Sequence, residues 1–374
     1  ICACLVGSEM CIRDRYMIIS KSNCSMKKLT EKHKRYLLRR IREIMSRIRL
    51  RKFRRKVRVN HKSKRKYIPI KVPEIMDLNE NFESTVSFFL KLRDICDDDK
   101  KRFFLDFKQL KHISPAAALA FTAEIDRVRK VRFINRLRVK DFSKWDTDTK
   151  LQLRDMGMFD LLGIGNLPKG FELKESNLDE VFIRFQSGKD ASGPDAKKLQ
   201  FLIYNIIKIA IPESKALQRG LTEAMTNSVQ HAYPDDFVEE STLKDKLWWM
   251  SASINVRTKM LTIMFYDEGI GIPKSLPRTY PEIFRSLGGL LNDDAQLIQA
   301  ATKIKRSSTN KKNRGRGLKD IKDYVKSVNN GMLKILSQRG EYAYFSNEKE
   351  YIKNRNIPLC GTLIQWKVPI NIGE

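Results

Sequence analysis

Apolar and polar positions along this 374-residue chain repeat with two periods, one near two residues and one near three and a half. Tyr67 to Pro73 alternates, with Ile68, Ile70 and Val72 apolar, and predicts a short strand. Phe82 to Leu92 predicts a helix, and the run Arg102-Phe103-Phe104-Leu105-Asp106-Phe107 a buried strand. A loop follows over 108–112. Ser114 then precedes Pro115 and an alanine-rich stretch through Asp126, so Ser114 is expected to cap a helix whose first position is the proline. Val131 to Val139 predicts another strand. Leu151 to Leu162 predicts a further helix that stops at Gly163.

Gly165, Pro168 and Gly170 punctuate a linker, after which Val181 to Phe185 predicts a strand and 187–194 a polar loop. Three stretches beyond it carry chemistry. In the helical stretch Leu221 to Tyr233, Glu223, Asn227 and His231 recur every four residues and share one face. A polar stripe between Leu221, Ala224, Met225 and Val229 suits a helix that lines a pocket. In the second stretch, Leu261 to Tyr266 forms a strand that runs into Asp267, Gly269 and Gly271. Glycines there permit backbone geometry and ligand approach that a Cβ would block. In the third, Gly315 and Gly317 open a helix that continues to Val328, presenting backbone N–H groups and a positive dipole end to an anion. Met332 to Ser337 and Cys360 to Trp366 predict antiparallel strands.

Charge changes the picture at the other end. Residues 27–66 hold 20 lysines and arginines against Glu31 and Glu43, much of a net charge of +29. Leu37, Ile41, Ile44, Met45 and Ile48 give this basic arm (17–67) one apolar helical face. Three readings stand: a solvated arm packing its stripe on its own protein, a nucleic-acid or other polyanion contact, and a membrane-surface helix. The six cysteines show no metal-ligand spacing or disulfide framework, and no run of about 20 apolar residues is present, so a cytoplasmic protein without a transmembrane segment is expected. Residues 1–16 stand apart. Glu9 to Arg15 resembles the translation of a transposon mosaic end used in library preparation, and the segment is expected to be a sequencing artefact with the natural start at Met17, Met26 or upstream.

The three stretches together resemble the N, G1 and G2 boxes of the GHKL family, which includes gyrase, histidine kinases and MutL. The resemblance covers nearly all of the chain from Tyr204, within a domain over 175–374. It implies a two-layer α/β sandwich, a mixed sheet against helices, with ATP and Mg²⁺ between the helices and a lid over Pro281 to Asn310. It also implies roles: Glu223 as base or water-positioning residue, Asn227 as Mg²⁺ ligand, Asp267 as acceptor for the adenine amino group. Gly269 and Gly271 would let the nucleotide approach closely, Gly315 and Gly317 would offer backbone N–H groups to the phosphates, and Thr362 would lie near adenine. Tyr233, after the histidine and alanine, points to anti-sigma-factor serine kinases and histidine-kinase catalytic domains as the nearest relatives.

Residues 68–165 resemble the STAS-type fold of anti-anti-sigma factors. The phosphorylated serine of that family falls here on Ala116, so Ser114 is read as a cap and a family-style phosphoswitch is not expected. The fold class is therefore α/β (α+β): a basic helical arm, a STAS-like domain and a GHKL sandwich. None of His33, His61 and His112 has a phosphoacceptor context, which argues against histidine autophosphorylation. The second domain that follows the ATP domain in gyrase-like and MutL-like chains is not expected either. What remains is a protein serine kinase or ATPase module, or a nucleotide-gated binding protein with little turnover. A protein partner is expected, a homodimer stays open, and nucleic acid or another polyanion could be held by Lys27 to Lys66.

Overall fold

The computed structural model describes residues 67–98, 101–134, 137–164, 179–191, 193–207, 214–240, 245–286, 293–304 and 318–370. Residues 1–16, the basic arm as far as Lys66, and Gly315 and Gly317 lie outside the described residues.

The first segment begins with β1 (Tyr67–Lys71), β2 (Ile75–Met76) and α1 (Phe82–Asp97), followed by β3 (Arg102–Asp106), β4 (His112–Ile113) and α2 (Pro115–Val131). β1 pairs in parallel with β3, and β2 with β4. Ser114 caps α2 as its position predicts: its Oγ accepts the Ala117 N–H at 3.4 Å, and Pro115 fills the first turn. The segment ends in a short 3₁₀ turn (Phe142–Lys144), α3 (Thr147–Asp155) and α4 (Met158–Leu162).

Two expectations fail in this segment. Among the described residues the strand expected over Val131 to Val139 is absent: α2 runs on through Val131, and Val139 makes an isolated bridge to Leu105. The apolar spacing of Ile125 and Val128 carries the helical period to that point, and packing extends it. The single helix over Leu151 to Leu162 is two, because Gly157 takes φ 88° between them. Gly163, also left-handed, does terminate α4.

The second segment is built on a sheet of β5 (Glu180–Gly188), β6 (Trp248–Asn255), β7 (Met260–Asp267), β8 (Met332–Phe345) and β9 (Glu350–Pro369), in the order β5-β6-β7-β9-β8. Every pairing is antiparallel, so the sheet is not mixed as the resemblance implied. The helices are α5 (Gly193–Ile207), α6 (Ser214–Asn227) with a π-wound end at Ser228–Ala232, α7 (Asp235–Glu240), α8 (Ile272–Thr279), α9 (Pro281–Ser286), α10 (Asp294–Lys303) and α11 (Leu318–Ser327). The chain is thus α+β with a five-stranded antiparallel sheet. Among the described residues no helix is long and apolar enough to cross a membrane.

Both faces of this sheet are covered, and the alternation along each strand divides them. On one face Trp248, Met250, Ala252, Ile263, Phe265, Ile364 and Trp366 join a core with Leu217, Leu221, Ile321 and Val325 of α6 and α11. On the other, Trp249, Met264, Tyr266, Leu336 and Leu363 join a core with Phe89 and Leu92 of α1 and Leu119 of α2. This double cover explains why β6 and β7 are almost wholly buried, with the small Ser251 and Ser253 of β6 included. Each fully buried tryptophan removes about 150–250 Å² from water, roughly 4–6 kcal/mol of burial at 25 cal/mol per Å². Polar ties reinforce the contact: Lys334 donates to Asn79 Oδ1 at 2.5 Å and pairs with Glu341, which also holds Arg355.

Candidate functional site

Between α6, α8, α10 and the sheet lies a pocket with about 750 Å³ of unfilled space, part of it continuous with solvent. Its walls are mainly apolar, with Phe265, Ile272, Leu276, Ile304, Leu318 and Ile364 among them. A few polar groups converge on this lining: Asn227 and His231 from the end of α6, Asp267 from β7, Thr362 from β9, and Ser275 and Thr279 from α8.

Each of these positions has a local cause. The period of four on α6 sends Asn227 and His231 to one side, and the chain there winds as a π-helix, a feature often found at functional sites. The Ala232 carbonyl at its end accepts the Ile270 N–H at 2.8 Å, tying α6 to the turn after β7. A Cβ on Gly269 would come within 2.3 Å of that same carbonyl oxygen. Gly271 takes φ 82°, which lets the chain turn from β7 into α8 beside the pocket. Gly361 takes φ 88°, and a Cβ there would lie 1.8 Å from the Asp267 carbonyl oxygen, so only glycine lets β9 close against β7 at this level. Thr362, the next residue, pairs in register with Asp267, and its hydroxyl lies 3.0 Å from Ser337 Oγ.

Asp267 is the electrostatic centre of the pocket. The residue is 5% exposed, and burial pushes its pKa up from 3.8 to about 7. Only part of that effect is offset by the N–H groups of Gly269, which donates to Oδ1 at 3.0 Å, and of Thr362. A hydrogen-bond acceptor in an apolar recess suits a planar ligand with an amino donor. Burial lowers the His231 pKa, so its imidazole is neutral at pH 7.

The structure therefore brings together Asn227, Asp267, Gly271 and Thr362. Gly269 supports the turn without lining the pocket. Glu223 is half-buried on α6, one turn before Asn227, and is not among the lining residues. Gly315 and Gly317 lie outside the described residues, but Leu318, which directly follows Gly317, does line the pocket. Of the segment expected as a lid, α9 and α10 are described, and Ala301 and Ile304 contribute to the wall.

Sequence reasoning missed Ser275, Leu276 and Thr279. Their signal was the spacing on the short helix that follows Gly271. It also missed Glu268, whose side chain leaves the turn on the opposite side from Asp267 and meets the first segment. Among the described residues no group of three or more His, Cys, Asp or Glu side chains could hold a metal ion on its own. Comparison of the sequence with protein-family models and with curated proteins gives no match.

Proposed function

We propose that this chain binds Mg-ATP in the GHKL manner and acts as a protein serine kinase or an ATPase regulatory module, with residues 68–165 as a STAS-like layer behind the nucleotide domain. The observation that carries this reading is the convergence of Asn227, Asp267, Gly271 and Thr362 on one apolar pocket from three distant stretches of chain. Asp267 fits the amino edge of adenine: it is a buried acceptor in a pocket whose lining is mainly apolar. Asn227 would offer a hard amide oxygen to a Mg²⁺ ion that arrives with the phosphates. When bound, that ion would neutralise phosphate charge. His231, neutral at pH 7, would supply a hydrogen bond without adding charge.

A second reading, a nucleotide-gated binding protein with little turnover, draws on Glu223. A base or water-positioning residue has to reach the reacting group, and Glu223 stands outside the pocket lining. Nucleotide would then change affinity for a protein partner, or for nucleic acid held by the basic arm.

Titration of the protein with ATP, with and without Mg²⁺ and beside Asn227→Ala, tests the site. Mg²⁺-dependent binding that disappears in the variant is expected, and equal affinity in both proteins would reject the assignment. Product analysis then separates the readings. Label on a protein serine, or released phosphate, that is lost in Glu223→Ala supports the enzyme, whereas ATP-dependent partner binding that survives Glu223→Ala supports the gate.

A further inference from the structure

Directly behind the pocket, three charged side chains meet where the first segment covers the sheet. Arg93 of α1 donates from Nε to Glu124 of α2, at 2.8 Å to Oε1 and 2.9 Å to Oε2, and its Nη2 also reaches Glu124 Oε1. The same Nη2 donates to Glu268 Oε1 at 2.7 Å. The side chains of Glu124 and Glu268 are 1% and 5% exposed, and that of Arg93 is 17% exposed. Glu268 Oε2 is buried without a hydrogen-bond partner. Arg93 and Glu268 are 175 residues apart in the chain.

The location of Glu268 gives this cluster its consequence. Its neighbour Asp267 faces the pocket, and the strand's alternation turns Glu268 away from it. The backbone of the same turn is pinned along its length. Glu268 N–H donates to the Tyr233 hydroxyl at 2.9 Å, Ile270 N–H to the Ala232 carbonyl, and Ile272 N–H to Ser337 Oγ at 2.9 Å. The Glu268 side chain is thus the handle by which the first segment grips this turn.

We infer that Arg93 is a positioning residue for the pocket: through Glu268 it holds the Asp267–Gly271 turn in the geometry that receives the ligand. The inference rests on the reading of the pocket as a nucleotide site. The burial of the triad supports it, because an Arg shared by two carboxylates adds little net stability over apolar side chains of the same volume. Removing only the arginine, however, leaves two buried carboxylates facing each other. Burial and Glu124 push the Glu268 pKa up, while Arg93 and Arg127 act against them. Tyr233, Tyr266 and Cys360 complete the surroundings of the cluster.

The test compares wild type, Arg93→Lys, Arg93→Met and the neutralised Arg93→Met/Glu124→Gln/Glu268→Gln chain. Two readouts are taken: amide hydrogen exchange at residues 268–272 without ligand, and affinity for Mg-ATP. In Arg93→Met, faster exchange in the turn is expected while the amides of β6 keep their protection, with affinity falling roughly two- to thirtyfold. The neutralised chain should regain most of both, and Arg93→Lys, which keeps the charge without the two-armed bridge, should fall between. If Arg93→Met does not fold, the lysine and neutralised chains carry the same comparison. Unchanged turn exchange, or exchange that rises equally in β6, overturns the inference. Loosening of the turn in a protein whose wild type binds no Mg-ATP upholds the positioning role and rejects the nucleotide reading instead.

Discussion

Replacing Asp267 by asparagine should make the ligand-free protein more stable and its pocket less useful, by amounts that depend on pH. The carboxyl is buried and its pKa rises from 3.8 to about 7, with desolvation as the leading cause. A value raised in the folded state means that the protonated form favours folding. That contribution is complete below the unfolded pKa and is lost as pH climbs through 7. A shift of this size amounts to about 4 kcal/mol at 1.36 kcal/mol per unit. Asparagine has the same shape, can accept the Gly269 N–H through its oxygen, and never ionises. The stability difference between variant and wild type should therefore be near zero at pH 4, grow through pH 5 and 6, and level off above pH 7 at ~4 kcal/mol. For a unit of this size that is a Tm gap of ~8 °C. Taking the difference between the two proteins at each pH cancels every other titrating group. Binding should respond in the opposite sense. A ligand amino group hydrogen-bonded to the carboxylate favours its charged form, so wild-type affinity should rise with pH through 7. The Asp267→Asn variant should lose about 1.5–3 kcal/mol of binding, the range for a hydrogen bond to a charged group. Thermal melts from pH 4 to 9 check the first part, and calorimetric titration over the same range the second. A stability difference that does not vary with pH would refute the burial argument for Asp267, and equal ATP affinity in the two proteins would refute its role as acceptor.

Other consequences are open to simpler assays. Gly361→Ala should cost at least ~2 kcal/mol in chemical denaturation, because the new Cβ would overlap the Asp267 carbonyl oxygen at a positive φ. A loss below ~0.5 kcal/mol would mean that β9 can move away from β7. Deleting residues 27–66 should leave Mg-ATP affinity unchanged while removing salt-sensitive retention on a polyanion such as heparin. Loss of both would make the arm part of the fold.

Much of the local structure follows from short-range physics and was legible in the chain. Ser114 followed by Pro115 fixes the start of α2, since a side-chain acceptor and a residue without an N–H satisfy the first turn whatever lies around it. Gly163 ends α4 for a similarly local reason, its left-handed φ. The period of four on α6 placed Asn227 and His231 on one face, and the glycine spacing after Asp267 marked a turn beside it. Asn227, Asp267 and Gly271 were singled out by those patterns, whereas Thr362 came only with the family resemblance.

Where tertiary contacts set the outcome, the chain was read less well. Val131 is apolar and β-branched and suits a strand by propensity, but packing carries α2 through it. The break at Gly157 depends on how the chain folds back there: a Cβ would meet the Arg184 side chain of β5 at 2.9 Å. β6 and β7 are buried on both faces, yet no pattern within them names the second cover. Only the fold shows that α1 and α2 supply it, and that Arg93 meets Glu268 behind the pocket. Capping, turn geometry and helical phase are decided within about one turn of the residues concerned, so the sequence by itself determines them. Which face of the sheet receives which helices, and what a buried carboxylate finds beside it, depends on contacts between residues far apart in the chain, and these exist only once it has folded.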